Sequence, residues 1–276
     1  MPSGRALWAF ARAGFRRHAT YRLATAAGAF TNSVFGLVRA AILAGAITAA
    51  TTTGSPGSPG GTVAGYTTAQ VVTYAWIGQA LIAPVWVFQW NELALRVRTG
   101  DIAIDLARPV DLQLSWLAAD LGRAAYSVLP RGLPPVVVGA LTFGLVMPTQ
   151  ALPYLLGLVS VTLAVAISFA CRFAVNLLAF WLVEIRGVIG SYVAVCNILC
   201  GLLVPVSWFP GWLHAIARAS PFPSMLQAPL DVLTARAAGG AALQTLGVQA
   251  FWLALTVLLG QGMLRLASRR LVVLGG

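Results

Sequence analysis

Long apolar runs, separated by short charged or proline-broken links, constrain this chain more than any other feature. Residues 23–50, 69–90, 154–183, 187–204 and 242–264 each carry at most one formal charge. A run of about 20 apolar residues crosses a hydrocarbon core of about 30 Å as a helix. Only helices and closed barrels satisfy their own backbone polar groups in lipid, and these runs are too long and too continuous for barrel strands. Charged residues are 9% of the chain, against roughly 25% in soluble domains, and the mean hydropathy is +0.83. The expected fold is an all-α membrane protein with six transmembrane helices, at about 23–50, 69–90, 124–147, 154–183, 187–204 and 242–264.

Residues 3–22 precede the first run. On a helix at 100° per residue, Arg5, Arg12 and Arg16 fall within about 40° of one another, and Leu7, Phe10, Ala11, Gly14 and Tyr21 occupy the opposite half. Such a helix lies in the membrane interface with its arginines toward headgroups. The competing reading, a cleaved signal peptide, is disfavoured because the run that follows is long enough to span.

Arginine placement fixes an expected orientation. With the N-terminus inside, fourteen arginines fall in inner segments, whereas Arg218 and Arg236 alone fall outside. Arg39 and Arg172 lie within spans. Both termini are therefore expected in the cytoplasm.

The densest charge lies between the second and third runs. Seven of the 25 formally charged side chains sit in residues 92–111: Glu92, Arg96, Arg98, Asp101, Asp105, Arg108 and Asp111. This inner segment extends through 123. Thr99 or Asp101 can cap a short helix and Pro109 can stop it. On that helix Asp101, Asp105 and Arg108 share one face, and Ile102 and Leu106 another. An apolar anchor with a charged rim is interface chemistry. A solvated loop that only satisfies topology is the bland alternative.

Several classes are excluded. All 18 basic residues are Arg, so no Gly-x-x-x-x-Gly-Lys phosphate loop exists. The net charge of +11 is scattered over span ends and does not form a nucleic-acid surface. Cys171, Cys196 and Cys200 fall inside apolar runs, and no His or carboxylate stands beside them to complete a metal site. His18 and His214 are isolated, on opposite expected sides, so no nucleophile–base pair argues for an enzyme. Residues 54–61, rich in Gly, Ser and Pro, form a flexible linker and not a phosphate cradle.

Residues 98–110 fit the pattern Gly-x-Ile-x-x-x-Leu-x-x-Pro through Gly100, Ile102, Leu106 and Pro109. Residues 205–213, with Pro205, Trp208, Phe209, Pro210 and Trp212, and Pro221 beyond, form a proline- and aromatic-broken segment before the last run. With the N-terminal helix and six runs, this layout resembles the permeases of the ABC-2 superfamily of ABC transporters, in the six-span form encoded beside a separate ATPase. The resemblance covers essentially the whole chain. It implies a permease subunit of an exporter in the bacterial cytoplasmic membrane, moving a drug, antibiotic, lipid or glycan. It also implies two copies of an ATPase, which hold the ATP and Mg, and a second permease, itself or a sibling. This chain is expected to hold no cofactor and no metal. The alternatives are a non-transporting scaffold or sensor and, less favoured, an intramembrane lipid-modifying enzyme.

The resemblance also assigns roles. Arg96, Arg98, Asp101, Ile102, Asp105, Leu106 and Arg108 become the ATPase-coupling segment. Tyr74, Gln79, Gln89 and Asn91 on the second span, with Ser191 and Asn197 on the fifth, become candidate pathway groups or, in the plainer reading, interhelical packing. Gly187, Gly190 and Gly201 would permit close helix approach. Residues 205–240 become short extracellular or re-entrant helices, where Trp208, Phe209 and Trp212 form an outer gate or a passive interfacial anchor. Arg39 and Arg172 either snorkel, pair structurally or contact substrate.

Overall fold

The computed structural model describes residues 4–52, 62–88 and 90–274. Gln89 and the 54–61 linker lie outside the described residues. Among the described residues there is no strand, only one isolated bridge between Val63 and Tyr66. The helices are α1 (Gly4–Ala19), α2 (Arg22–Thr52), α3 (Thr68–Val85), α4 (Glu92–Thr99), α5 (Ile102–Leu106), α6 (Leu112–Ser127), α7 (Leu133–Phe143), α8 (Leu152–Leu177), α9 (Arg186–Leu199), α10 (Gly211–Arg218), α11 (Gln227–Leu233) and α12 (Gly240–Leu274). Among the described residues, three stretches are long and apolar enough to cross a membrane: Thr25–Thr52, Leu152–Phe180 and Gly240–Arg269.

Helix α3 is the centre of the packing. Every side chain from Val71 to Val85 is buried, as expected of a helix apolar on all faces. Thr67 starts it with a capping box: its hydroxyl accepts from the Gln70 N–H, and the Gln70 side chain accepts from the Thr67 N–H. Trp76, fully buried, fixes the spacing of the neighbours. A Cβ on Gly36 of α2 would come within 2.5 Å of its ring, and one on Gly139 of α7 within 2.4 Å. Two glycines thus seat one indole between three helices.

Pro84, inside the second apolar run, stands in the last turn of α3, and the helix ends at Val85 with Trp86 left-handed at φ 57°. Likewise, the third apolar run does not begin a helix. It continues α6, which starts at Leu112 because the Asp111 carboxylate accepts from the Leu114 N–H at 2.8 Å. A π-helical turn, Val128–Gly132, joins α6 to α7 and contains Pro130, which has no N–H to donate to the ladder.

Helix α1 lies along α6 through reciprocal small residues. A Cβ on Gly14 would stand 2.0 Å from the Ala119 carbonyl oxygen, and one on Gly122 1.8 Å from that of Ala11. Gly187 and Gly190 on α9 face open space, so of the three glycines singled out for close approach only Gly201 is closely packed. At the far side of the bundle, Ser160 on α8 donates to Gln249 on α12 at 2.8 Å. The Gln249 amide returns bonds to the carbonyls of Ser160 and Ser224.

Candidate functional site

The charged residues gather at one end of the bundle, where α3 hands over to α4. The terminal carbonyls of α3 are taken by a side chain: Arg123 donates to Ala83 O at 2.8 Å and Pro84 O at 2.9 Å. A guanidinium suits a helix C-terminus, where unpaired carbonyls and the dipole are negative. One turn earlier, Asp120 accepts from Arg123 Nε at 2.7 Å and from Arg172 Nη2 at 2.9 Å. The two guanidiniums also lie over indoles, Arg123 over Trp86 and Arg172 over Trp90, at 4.8 and 5.6 Å from the ring centres. Arg172 thus pairs with Asp120 within this chain.

Three residues at helical spacing on α8 pin the segment that enters α4. Ser168 donates to Trp86 O at 3.4 Å. Arg172 covers the Trp90 ring. Asn176 donates to Trp90 O at 2.9 Å and accepts from the Ala94 N–H at 3.1 Å. Positions 168, 172 and 176 lie on one face of a helix, so α8 reaches the α4 entry along a single stripe.

Helices α4 and α5 are two short pieces because Gly100 closes α4 with φ +83°. Neither expected cap bonds the α5 backbone. The Thr99 hydroxyl donates to the Asp101 carboxylate at 2.8 Å, and Asp101 starts α5 without a side-chain cap bond. Asp105 is buried between Arg96, whose Nε it accepts, and Arg108 at 3.5 Å. This pair holds the two helices together.

The expected apolar anchor is corrected. Ile102 is fully buried with Leu93, Leu112, Phe169, Phe173 and Leu177, and half-buried Leu106 packs against the same cluster. The outward apolar side chains are Leu95 and Ile104, near 60% exposed, beside exposed Arg98 and Asp101. Two further ion pairs surround them: Arg17 on α1 with Glu92 at 2.7 Å, and Arg98 with Glu184 at 3.7 Å. Glu184 lies in the exposed link before α9. The Arg186 N–H donates to its carboxylate at 3.0 Å and holds its pKa below the ordinary glutamate value, with the charges of Arg186 and Arg98 adding to the effect.

The intramembrane and pathway residues distribute differently. Arg39 on α2 turns inward. It lies 3.4 Å from Gly201 O and 5.4 Å from the centre of the Tyr74 ring, and its Nε and Nη1 are buried without a partner. The Tyr74 hydroxyl is within hydrogen-bonding distance of Gly201 O and Gln227 Oε1. Gln227 donates to Asp231, which pairs with Arg236; Arg236 lies over the Tyr66 ring at 3.5 Å. Burial raises the Asp231 pKa above its ordinary value despite these partners.

Gln79 is buried on α3. Asn91 is exposed before α4, Ser191 is exposed on α9, and Asn197 is half-buried with Oδ1 unpaired. The five described candidate pathway residues therefore sit in different environments, from buried Tyr74 to exposed Ser191. Trp208 packs edge-on to Tyr66, Phe209 packs beside Leu199, Val206 and Ala217, and Trp212 is 67% exposed.

Sequence reasoning did not select Asp120, Arg123, Ser168 or Asn176. Their signal was present: an Asp and an Arg three apart, and three polar residues four apart within an apolar run. A family model described as ABC-2 family transporter protein matches residues 57–275. No curated protein and no solved structure matches the chain.

Proposed function

Because this chain belongs to the ABC-2 family of transporter proteins, we propose that it is a six-span permease subunit of an exporter whose energy comes from a separate ATPase. In this reading α2, α3, α6 with α7, α8, α9 and α12 are the spans, and the charged end faces the cytoplasm. Two ATPase subunits and a second permease, either a copy or a sibling, complete the assembly. The cargo is hydrophobic or amphipathic, as suits walls almost without charge.

The observation that carries the proposal is the α4–α5 pair. It presents Leu95 and Ile104 outward inside a rim of Arg98 and Asp101, a small apolar centre with a polar border. Its inner face is bonded to α8 through Asn176 and clamped by Arg96, Asp105 and Arg108. A push on such an element moves a long apolar helix and does not dissipate in a loop. Docking of the ATPase on this face supplies the hydrolysis that this chain has no Lys-bearing phosphate loop to perform.

The test is co-purification of the ATPase with a Leu95→Asp/Ile104→Asp variant. Loss of the ATPase with normal membrane insertion supports docking here. Retention of a fully coupled complex overturns it.

A further inference from the structure

A cavity of about 540 Å³ opens at the charged end, between α1, the α3–α4 connection, α5, α6 and α8. Its size falls in the range of roughly 300–1,000 Å³ typical of small-ligand sites. Its charge does not cancel. Asp120 serves both Arg123 and Arg172, Asp105 serves both Arg96 and Arg108, and Glu92 serves Arg17. All of these side chains line the cavity, so two guanidinium charges lack a carboxylate of their own. The wall also carries four aromatic side chains between these charges, Trp86, Trp90, Trp116 and Phe169. Arg123 and Arg172 bridge the two kinds of wall, since each bonds Asp120 and also lies over an indole.

An excess of arginine beside an apolar aromatic wall selects an anion with a hydrophobic body. Guanidinium recognises phosphate oxygens by charge-assisted hydrogen bonds. The position selects the source. Helix α1 forms one side of the cavity through Phe10, Ala13 and Gly14. Its outer surface carries Trp8, 70% exposed, a side chain type that favours a headgroup layer. Basic pockets at such depth between helices hold anionic lipid headgroups.

We propose that this cavity is a binding site for one anionic phospholipid of the adjacent leaflet, its phosphate at the Arg17–Arg108 mouth and its upper chain against Trp90 and Trp116. The site borders the α4–α5 pair through Arg96, Asp105 and Arg108. An occupied headgroup braces the same residues that hold α4 to α5. The inference does not depend on the ATPase reading, because binding is measured on this chain alone.

The experiment is native mass spectrometry of the delipidated full chain in detergent, titrated with phosphatidylglycerol, with phosphatidylcholine, and with phosphatidylglycerol in excess inorganic phosphate. The expected result is one saturable phosphatidylglycerol adduct, held roughly tenfold or more tighter than phosphatidylcholine because the arginines favour the anionic head. Inorganic phosphate should leave the adduct in place. Ala13→Phe, which fills the cavity from α1, should remove it. Arg17→Gln/Arg108→Gln should weaken it by a similar factor; these two side chains are 65% and 54% exposed, and Arg96 keeps its own contact with Asp105 in the variant.

Equal affinity for the two lipids overturns the proposal, as does an adduct unchanged in a folded Ala13→Phe variant. Should Ala13→Phe not fold, an adduct unchanged in the double arginine variant does the same. Displacement by inorganic phosphate overturns the lipid assignment in favour of a free-anion site.

Discussion

Arg172 on α8 donates from Nη2 to Asp120 Oδ2 on α6 across 2.9 Å, over 52 residues of sequence. Both side chains are nearly inaccessible, 3% and 11% exposed. Taking two charges out of water is costly, and the pair persists because Arg123 shares the carboxylate while indole faces lie under both guanidiniums. The bond joins the segment that leaves α5 to the helix that fastens the entry of α4.

Removing one partner should therefore cost more than removing the set. Asp120→Asn leaves two buried arginines without a counter-charge, and a loss of about 3–5 kcal/mol is expected. Thermal unfolding in detergent measures it. Adding Arg172→Met to Asp120→Asn should recover part of that loss, because one stranded charge is removed. Additive effects in this cycle would show that the two residues are not coupled.

Ile102 and Ile104 are two residues apart and face opposite ways. Ile102→Asp places a charge in the cluster with Leu93 and Phe173 and should lower the melting temperature and yield. Ile104→Asp changes an exposed position and should leave the unfolding free energy within about 0.5 kcal/mol of the parent, the range usual for surface substitutions. If Ile104→Asp unfolds the chain as readily as Ile102→Asp, the orientation of α5 is wrong.

The Gly14 and Gly122 contact makes α1 sensitive to single methyl groups. A Cβ at 2.0 or 1.8 Å from a carbonyl oxygen cannot be accommodated without moving a helix. Gly14→Ala or Gly122→Ala is expected to cost about 1–3 kcal/mol, as overpacking does. A cysteine cross-link between α1 and α6 reports the separation, and undiminished cross-linking in both variants would refute the contact.

The Trp76 seat predicts a second methyl-sensitive site far from the charged end. Gly36→Ala and Gly139→Ala each push a Cβ into the indole, with an expected loss of about 1–3 kcal/mol apiece. Trp76→Phe removes the outer benzo atoms that Gly36 faces and should relieve much of the effect of Gly36→Ala in the double variant. Melting temperatures of the singles and the double measure this directly, and full additivity would count against the shared contact.

Glu184 should titrate below an ordinary glutamate. Its folded pKa is depressed, chiefly by the Arg186 N–H and then by the Arg186 and Arg98 charges. The contribution to stability is therefore present above the unfolded pKa and is lost as pH falls through the folded one. A carboxyl ¹³C titration of Glu184 checks the direction. Arg186→Gln should move the midpoint part of the way up, since the backbone donor remains.

Much of the class was legible in the sequence because apolarity and helical period are local properties. The apolar runs and the charge density of residues 92–111 are visible in short windows, whereas the polar stripe at 168, 172 and 176, the Asp111 cap and the Gly100 break emerged only with the structure. The motif at 98–110 pointed to the family, and a family match over 57–275 agrees. Which side chain of that motif faces outward was not legible. Ile102 and Ile104 have the same chemistry, and only the position of Phe169 and Leu93 decides that one is core and the other surface.

By itself, then, the sequence determined an all-helical membrane chain with its charge gathered between the second and third apolar runs, because transfer free energy depends on composition along a segment. The tertiary structure decided the partners. Arg172 found Asp120, Arg39 turned to Gly201 and Tyr74, and the cavity among α1, α6 and α8 acquired two uncancelled guanidiniums. Those outcomes depend on which helices meet and at what depth. A guanidinium in low dielectric takes the nearest acceptor in space, and sequence separation does not enter that choice.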